Sequence, residues 1–289
     1  MASSSRPNSV FSIIIVNYNT RRLTLALIDS IYRHVRQPEY EVCVIDNDSC
    51  DGSVESISRR FPDVKLLSSD TNLGFGIAVD LAASECTGEY LWLLNSDCRL
   101  RSDVSIVMTE YLDEHPDTAA VAGRLVSNDG SFQASCRRFP TFSNVLHSRQ
   151  SPLSLVWSSR HDYTLPDYSQ PTPVEACSCT HTMIRRSCFE EVGGFDARFF
   201  MYCEDTDLCI RFAGRGWKVV FLPAAEIVHE WAASWRQSIH TRYYHHHRSV
   251  NRLFQKHFPD QRVKLALLEL LLILGLGVRI ILSILRRPR

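Results

Sequence analysis

The chain lacks the features that would place it in several large classes of protein. Its 32 basic and 32 acidic side chains cancel, so no overall positive field is available to attract nucleic acid. The ten cysteines include no Cys-x-x-Cys pair, and Cys177 and Cys179, one residue apart, have no second pair to complete a zinc site. We therefore expect structural cysteines, no nucleic-acid partner, and one large domain with at most a small appendage.

The N-terminal end also lacks a recognisable signal for secretion. Residues 1–9 are polar, and the apolar stretch at 10–16 is interrupted by Ser12. Such a stretch is too short for the apolar core of a signal peptide. We expect residues 1–9 to be disordered and the protein to be cytoplasmic, in the reducing compartment that suits unpaired cysteines.

What the first hundred residues do contain is an alternation of β-branched apolar runs with segments of helical spacing. The pattern predicts strands at 12–16, 41–45, 64–68 and 90–94 and helices at 23–35, 54–61 and 77–84. Strands and helices that alternate at this spacing form right-handed βαβ units in a parallel sheet. The predicted fold class is α/β, with a mostly parallel, Rossmann-like sheet flanked by helices.

Polar side chains follow each predicted strand directly. Ligands of parallel sheets bind at the carboxyl ends of the strands, so these side chains should line one site. They are Asn17 and Tyr18 after the first strand, Asp46 after the second, Asn72 and Gly74 after the third, and Asn95, Ser96 and Asp97 after the fourth.

A second acidic site is expected near residue 205. Glu204 and Asp205 stand at the start of a predicted helix at 206–214, and His229 follows a predicted strand at 217–222. One acid could hold a metal ion and another could take a proton. The alternative interpretations are structural: Asp97 could form an Asx turn, and Glu204 and Asp205 could cap a helix N-terminus.

Four segments together resemble the motifs of the family-2 inverting glycosyltransferases, which have the GT-A fold, and most of all their rhamnosyltransferase-like branch. These segments are 12–19, 42–53, 93–97 and 199–211. The resemblance implies a dTDP- or UDP-sugar donor, with dTDP-rhamnose as one candidate, and a divalent Mg²⁺ or Mn²⁺ cofactor. It also implies an acceptor that is a glycan or a polyprenyl-diphosphate-linked saccharide, in the assembly of cell-surface polysaccharide.

The resemblance also implies roles for individual residues. Asp205 would be the catalytic base, and Asp97, the last position of an Asn95-Ser96-Asp97 variant of the Asp-x-Asp motif, would bind the metal together with His229. The donor-binding set would be Asn17, Tyr18, Asp46, Asn72, Gly74, Asn95, Ser96 and Arg248. The acceptor side would include Cys179, Glu204 and Trp231.

Three features depart from the family pattern. Cys179 stands where relatives usually carry glycine, and residues 230–234, in place of the family's Gly- and Ser-rich turn after the histidine, keep the serine but not the glycine. Asp80 stands where relatives usually carry asparagine, and a negative charge beside a diphosphate would be costly. We therefore expect Asp80 either to turn away from the site or to pair with an arginine.

The last fifty residues leave alternatives open. The basic and aromatic segment 242–252 could be a solvated surface helix or a basic wall for a donor or lipid diphosphate. The tail at 259–289 is an amphipathic helix with a narrow charged sector and a basic end, which favours a position in the membrane interface, at the inner face of the cell membrane. A shallow transmembrane helix and a helix against a partner subunit are the alternatives. For the domain at 10–258, the rival to an enzyme is a binding module that kept the fold and lost turnover.

Overall fold

The computed structural model describes residues 10–37, 39–146, 164–230 and 239–285. The predicted disorder of residues 1–9 and the acceptor-side prediction for Trp231 lie outside the described residues. The same holds for residues 147–163, in the middle of the segment that the sequence pattern left irregular.

The first half of the chain folds as predicted. Its strands pair in the order β3-β2-β1-β4, and every pair is parallel. The elements are β1 (Phe11–Asn17), α1 (Arg21–His34), β2 (Tyr40–Asn47), α2 (Ser53–Arg60), β3 (Lys65–Ser69), α3 (Phe75–Glu85) and β4 (Tyr90–Asn95). In the register of the sheet Asn17 lies beside Asp46, so the carboxyl ends of these strands form one edge.

The second half extends the same sheet with mixed strand directions, in the order β4-β11-β6-β12-β5. The strand β11 is antiparallel to both of its neighbours, whereas β6 and β12 are parallel to each other. The strands are β5 (Cys98–Arg99), β6 (Thr118–Val126), β7 (Phe132–Gln133), β8 (Cys136–Arg137), β9 (Thr172–Val174), β10 (Ala176–Cys177), β11 (His181–Arg185) and β12 (Lys218–His229). The helices are α4 (Ser105–Glu114), α5 (Phe142–Leu146), α6 (Arg186–Glu191), α7 (Glu204–Gly214), α8 (Ile239–His257) and α9 (Arg262–Leu285).

Two boundaries in this half differ from the sequence prediction. The last sheet strand does not end at Leu222 but continues through Pro223 to His229, because an irregularity in register between Leu222 and Glu226 accommodates the proline. The helix that carries the acidic pair begins at Glu204 rather than at residue 206.

The core lies on both faces of the sheet. Side chains of α1, α2 and α4 pack on one face, around Ile28 and Met108. Those of α3, α6 and α7 pack on the other face, around Val79 and Phe212. Burial on both faces explains why the central strands are apolar throughout instead of alternating.

The two C-terminal helices form a smaller apolar cluster of their own. Phe254 of α8 and Leu268 of α9 are buried there against Phe142. The opposite face of α9 exposes a row of large apolar side chains, namely Val263, Leu267, Leu270, Ile273 and Leu274. Among the helices of the described ranges, none has the length and apolar content needed to cross a membrane.

Candidate active site

At the end of β1, a buried amide orients the carboxylate of the neighbouring strand. Asn17 Nδ2 donates to Asp46 Oδ1 at 2.6 Å, while Asn17 Oδ1 accepts from the hydroxyls of Thr20 and Thr24 at 2.8 and 2.6 Å. The backbone N–H of Ser49 donates to Asp46 Oδ2 at 2.9 Å. The structure thus brings Asn17 and Asp46 together as predicted, with Asn17 in direct contact with the carboxylate, and Tyr18 lies half-buried beside them.

A second amide, which sequence reasoning missed, shapes the turn after β3. Asn47 Nδ2 donates to Asn72 Oδ1 and to the carbonyl of Gly74, both at 3.1 Å. Gly74 has φ +81°, and a Cβ there would lie 2.2 Å from the carbonyl oxygen of Phe200. The backbone at Gly74 therefore approaches the loop before α7 closely, and a side chain there would collide with it.

The predicted metal ligands lie side by side because β12 pairs with β5. His229 stands opposite Cys98 in the register, next in the chain to Asp97. The distance from His229 Nε2 to Asp97 Oδ1 is 3.3 Å, and both residues are buried. The backbone N–H of Glu230 also donates to the Asp97 carbonyl at 2.8 Å, so the two strand ends are tied together.

Gln133 sets the tautomer of this histidine. Its Nε2 donates to the His229 carbonyl at 3.0 Å and to Ser127 Oγ at 2.8 Å, so its Oε1 accepts from His229 Nδ1–H at 2.7 Å. With the proton on Nδ1, the lone pair of the neutral ring lies on Nε2, towards Asp97. An imidazole nitrogen and a carboxylate oxygen placed in this way can bind one cation together.

The pair of Asp97 and His229 therefore fits a divalent cation, with Gln133 as the outer partner that orients the imidazole. Within the described ranges, no three acidic, histidine or cysteine side chains converge on one point. Further ligands would have to be oxygens from water or from a phosphate, which Mg²⁺ and Mn²⁺ accept readily.

The first residues of α7 hold the predicted base in one orientation. Asp205 Oδ1 accepts from the backbone N–H and the hydroxyl of Thr206 at 2.6 and 3.1 Å, and it forms an ion pair with Arg137 at 2.5 Å. All three of these contacts are made to Oδ1.

Glu204 has a different environment from its neighbour. Its side chain is buried, and Oε2 has no hydrogen-bond partner in the part of the chain that the structure describes. Burial, and then the charge of Asp205, raise the pKa of Glu204 to about 8. Glu204 is therefore mainly protonated at neutral pH, whereas Asp205, beside an arginine, has a cation to balance its charge.

Cys179 and Thr180 connect the two acidic sites. Burial and the charge of Asp205 raise the pKa of the Cys179 thiol well above its usual range, so Cys179 lies near the acidic pair and is a neutral thiol. The carbonyl of Thr180 accepts from the Asn95 N–H at 2.9 Å, two residues before Asp97. The segment that leads into β11 thus lies between Asp97 and the acidic pair of α7.

The loop before α7 is strained and supported from outside. Tyr202 and Cys203 both have left-handed backbones, with φ of 69° and 63°, which non-glycine residues adopt only at a cost. Ser249 Oγ of α8 donates to the Met201 carbonyl at 2.7 Å, and the ring of His245 stacks on Phe200 at 4.9 Å. The helix α8 therefore supports the loop that sets the direction of α7.

Asp207, which sequence reasoning also missed, joins α7 to α8. This fully buried carboxylate accepts from Arg211 Nε at 2.8 Å, Lys256 Nζ at 2.6 Å and His257 Nε2 at 2.8 Å. Arg248, in contrast, is exposed on α8, and its Nη1 donates to the hydroxyl of Tyr244 at 3.2 Å. The helix α8 thus packs against α7 and the loop before it, with Arg248 exposed to solvent.

Asp80 follows the first of its two expected alternatives and turns away. Its carboxylate accepts from the backbone N–H of Phe195 at 3.0 and 3.2 Å, in the turn where Gly194 has a left-handed backbone. Burial raises the pKa of Asp80 to about 6, although the bond from Phe195 acts in the opposite direction.

We expect Asp80→Asn to stabilise the protein by about 1–2 kcal/mol at pH 8 and by less at pH 5. Because the folded-state pKa lies above the unfolded value, the acid loses stability as pH rises through about 4 to 6, and the amide does not. The amide oxygen can still accept from Phe195. Urea denaturation at both pH values measures the difference, and Asp80→Ala, which loses the hydrogen bond, serves as control. An equal gain at both pH values would contradict the titration of Asp80.

The structure thus presents a mixed sheet with acidic side chains at its carboxyl edge and a second acidic pair at the N-terminus of the adjoining helix α7. The family model described as glycosyl transferase family 2 matches residues 12–193, and that described as glycosyl transferase family group 2 matches residues 171–288. The first match covers more than half of the chain, which therefore belongs to glycosyl transferase family 2.

Two similar proteins of known activity are rhamnosyltransferases. The chain is 29% identical over 223 residues to an N-acetylglucosaminyl-diphospho-decaprenol L-rhamnosyltransferase of Mycobacterium tuberculosis, covering 72% of each chain. It is 25% identical over 226 residues to the rhamnosyltransferase WbbL of Escherichia coli, covering 75% of this chain and 82% of that one.

Solved structures confirm the fold. The mannosyltransferase PcManGT of Pyrobaculum calidifontis, in complex with GDP-Man and Mn²⁺, superposes with a TM-score of 0.59 at 18% identity, over 99% of this chain and 77% of that one. GalNAc-T7 with UDP, GalNAc and Mn²⁺ gives a TM-score of 0.63 at 15% identity, over 86% of this chain and about half, 48%, of that one. The predicted GT-A fold is thus confirmed.

Proposed function

We propose that this glycosyltransferase is an inverting, metal-dependent enzyme that transfers L-rhamnose, or a similar sugar, from a dTDP- or UDP-sugar to a lipid-diphosphate-linked saccharide. The observation that carries the proposal is the placement of two distinct acidic sites around the start of β11. One pairs Asp97 with His229, and the other holds Asp205 against Arg137 and Thr206. The rhamnosyltransferase relatives support the choice of sugar, and the decaprenol-linked substrate in the name of one supports the acceptor.

On the donor side, each residue has a separate task. Asp46, held by Asn17, would accept the ring N–H of uracil or thymine, and Tyr18 would lie against the nucleoside. Asn72, Gly74, Asn95 and Ser96 line the same edge of the sheet. Asp97 and His229 would hold Mg²⁺ or Mn²⁺, which neutralises the charge on the diphosphate as it leaves. Arg248 would offer a further positive charge from α8.

On the acceptor side, Asp205 would act as the general base. Its Oδ2 would take the proton of the attacking hydroxyl, which adds to the anomeric carbon on the face opposite the departing diphosphate, so the configuration inverts. The protonated Glu204 and the neutral Cys179 thiol would border the acceptor sugar without competing for that proton. This arrangement gives the two neighbouring acids different roles through their different environments.

The proposal is tested by measuring release of nucleoside diphosphate from dTDP-rhamnose and from UDP-sugars with Mn²⁺, with and without a prenyl-diphosphate-linked acceptor. We expect release that depends on both the acceptor and the metal. Donor binding without turnover on any acceptor tested would favour the alternative, a nucleotide- or carbohydrate-binding module.

We further propose that α9 lies on an anionic membrane surface at the cytoplasmic face. One side of α9 packs against the rest of the protein and buries Leu268. The other side exposes Val263, Leu267 and Leu274. Lys264 and Glu269 flank this row at the surface. Four further residues at the C-terminal end, 286–289, include three arginines, which match the charge of anionic headgroups.

The double variant Leu267→Gln/Leu274→Gln should lower binding to anionic liposomes by about tenfold or more, because two exposed apolar side chains lose their contact with lipid. Flotation of the full-length chain with liposomes, at low and high salt, measures the effect, and high salt should weaken binding as it screens the basic end. The matched control is Ile106→Gln, an exposed apolar side chain on α4. If the full-length chain does not bind liposomes and instead dimerises through this face, α9 belongs to a protein interface.

A further inference from the structure

Arg137 contacts the proposed base from a part of the chain that showed no recognisable motif. Its Nη2 lies 2.5 Å from Asp205 Oδ1, and the same guanidinium donates to Thr206 Oγ1 through Nη2 at 2.9 Å and through Nε at 3.2 Å. The Thr206 hydroxyl in turn donates to Asp205 Oδ1. The three side chains thus form a closed ring of polar contacts on one oxygen of the carboxylate.

We propose that Arg137 is a positioning residue that fixes the rotation of the Asp205 carboxylate, so that Oδ2 alone faces the acceptor hydroxyl. The proposal rests on the role of Asp205 as base proposed above. A carboxylate at a helix N-terminus can otherwise rotate and exchange its two oxygens. Charge-assisted contacts to one oxygen remove that freedom and leave one basic atom aimed at the substrate.

Arg137 extends from a short two-stranded sheet formed by β8 and β10. It lies on β8, where it pairs with Ala176 of β10, and the N–H of Ser178 donates to the Ser135 carbonyl at 2.8 Å just beside this pair. Next to it, the N–H of Phe139 donates to the Glu175 carboxylate. The side chain therefore crosses from a short two-stranded sheet to α7, and correct placement of the base depends on that sheet being formed.

The contact also demands an arginine in particular. The guanidinium reaches Asp205 and Thr206 at once with a planar fork, whereas a lysine ammonium is a single point on a flexible stem. Both members of this ion pair are largely buried, since the side chains of Arg137 and Asp205 are exposed by only 23% and 13%. Solvent therefore screens the ion pair only in part, and its loss should be measurable in turnover.

The test is a double-mutant cycle on kcat with saturating donor and metal. Arg137→Ala should lower kcat by about tenfold or more, with the donor KM within about twofold of wild type, and Arg137→Lys should fall in between. In an Asp205→Asn background, Arg137→Ala should add less than about twofold, because the base it orients is already absent. Millimolar guanidinium should restore part of the turnover of Arg137→Ala.

The kcat–pH profile and a matched control variant distinguish positioning of the base from a general loss of structure. Removal of the cation should move the acid limb of the kcat–pH profile to higher pH, which simple destabilisation would not do. The matched control is Arg124→Ala, since Arg124 is exposed by 27% and pairs with Asp167 and Glu226 away from the base, and its kcat and pH profile should stay those of wild type.

The outcomes distinguish this inference from the proposed function. If Asp205→Asn keeps near-normal turnover, the assignment of the base itself is wrong. If Asp205→Asn is impaired but Arg137→Ala and Arg137→Lys are not, Arg137 does not position the base. Equal factors for Arg137→Ala in both backgrounds would show that it acts independently of Asp205, which also overturns the inference. Should Arg137→Ala fail to fold, Arg137→Lys carries the same test, since its fall in kcat should appear in the wild-type background and largely vanish in the Asp205→Asn background.

Discussion

Asp205→Asn should lower kcat by about 10² or more while donor and metal affinities stay close to those of wild type. The amide keeps the shape of the carboxylate but cannot accept the proton of the acceptor hydroxyl. The contact with Arg137 is weakened as well, since the positive charge no longer meets a negative one. Steady-state kinetics with saturating donor, together with calorimetry of nucleotide binding, separate turnover from binding.

The neighbouring acid provides the control for this variant. Glu204 is mainly protonated at neutral pH because burial raises its pKa to about 8, so Glu204→Gln replaces one neutral group with another. We expect a much smaller fall in kcat at pH 7 for Glu204→Gln than for Asp205→Asn. If the two results were reversed, the base would be Glu204 and the assignment to Asp205 would be wrong.

Asp97→Ala should lower metal-dependent turnover by about 10² to 10³, the scale of the charge stabilisation that a bound cation gives a leaving diphosphate. Within the described ranges Asp97 and His229 are the two candidate ligands, so we expect the nucleotide to supply others, together with water. Metal binding should therefore be weak alone and strong with nucleotide. Calorimetry with Mn²⁺, with and without dTDP or UDP, measures this coupling.

The same experiment contains its own control. In EDTA, the residual nucleotide affinity of Asp97→Ala should equal that of the wild type, because Asp46 and the strand ends proposed to hold the nucleoside are unchanged. Full activity of the wild type in excess EDTA would show that the reaction needs no divalent cation, and the metal assignment would then fail.

The first half of the fold could be predicted because each strand there is a buried apolar run followed by its own crossover helix. The strand β4, for example, is enclosed on both faces, and its sequence is apolar from Tyr90 to Leu94. The second half could not be predicted in the same way. The run that forms β11 gives no local sign that it pairs antiparallel to β4, since strand direction depends on partners distant in the chain.

The same limit explains which site residues were missed. Asp97 and Asp205 stand out because acids follow apolar runs. Gln133 and Arg137 show no such pattern, and their importance comes from contacts with His229, 96 positions away, and Thr206, 69 positions away. A side chain that orients another leaves a signal only in three dimensions.

The short connection between α8 and α9 has a consequence for the choice of acceptor. The helix α8 ends at His257 and α9 begins at Arg262, while Lys256 and His257 of α8 contact Asp207 of α7. If α9 rests on lipid as proposed, the short connection between α8 and α9 would set the height and tilt of the cleft above the bilayer. The enzyme would then select acceptors by the length of their saccharide. In a saccharide that is too short or too long, the reactive hydroxyl would lie below or above the cleft.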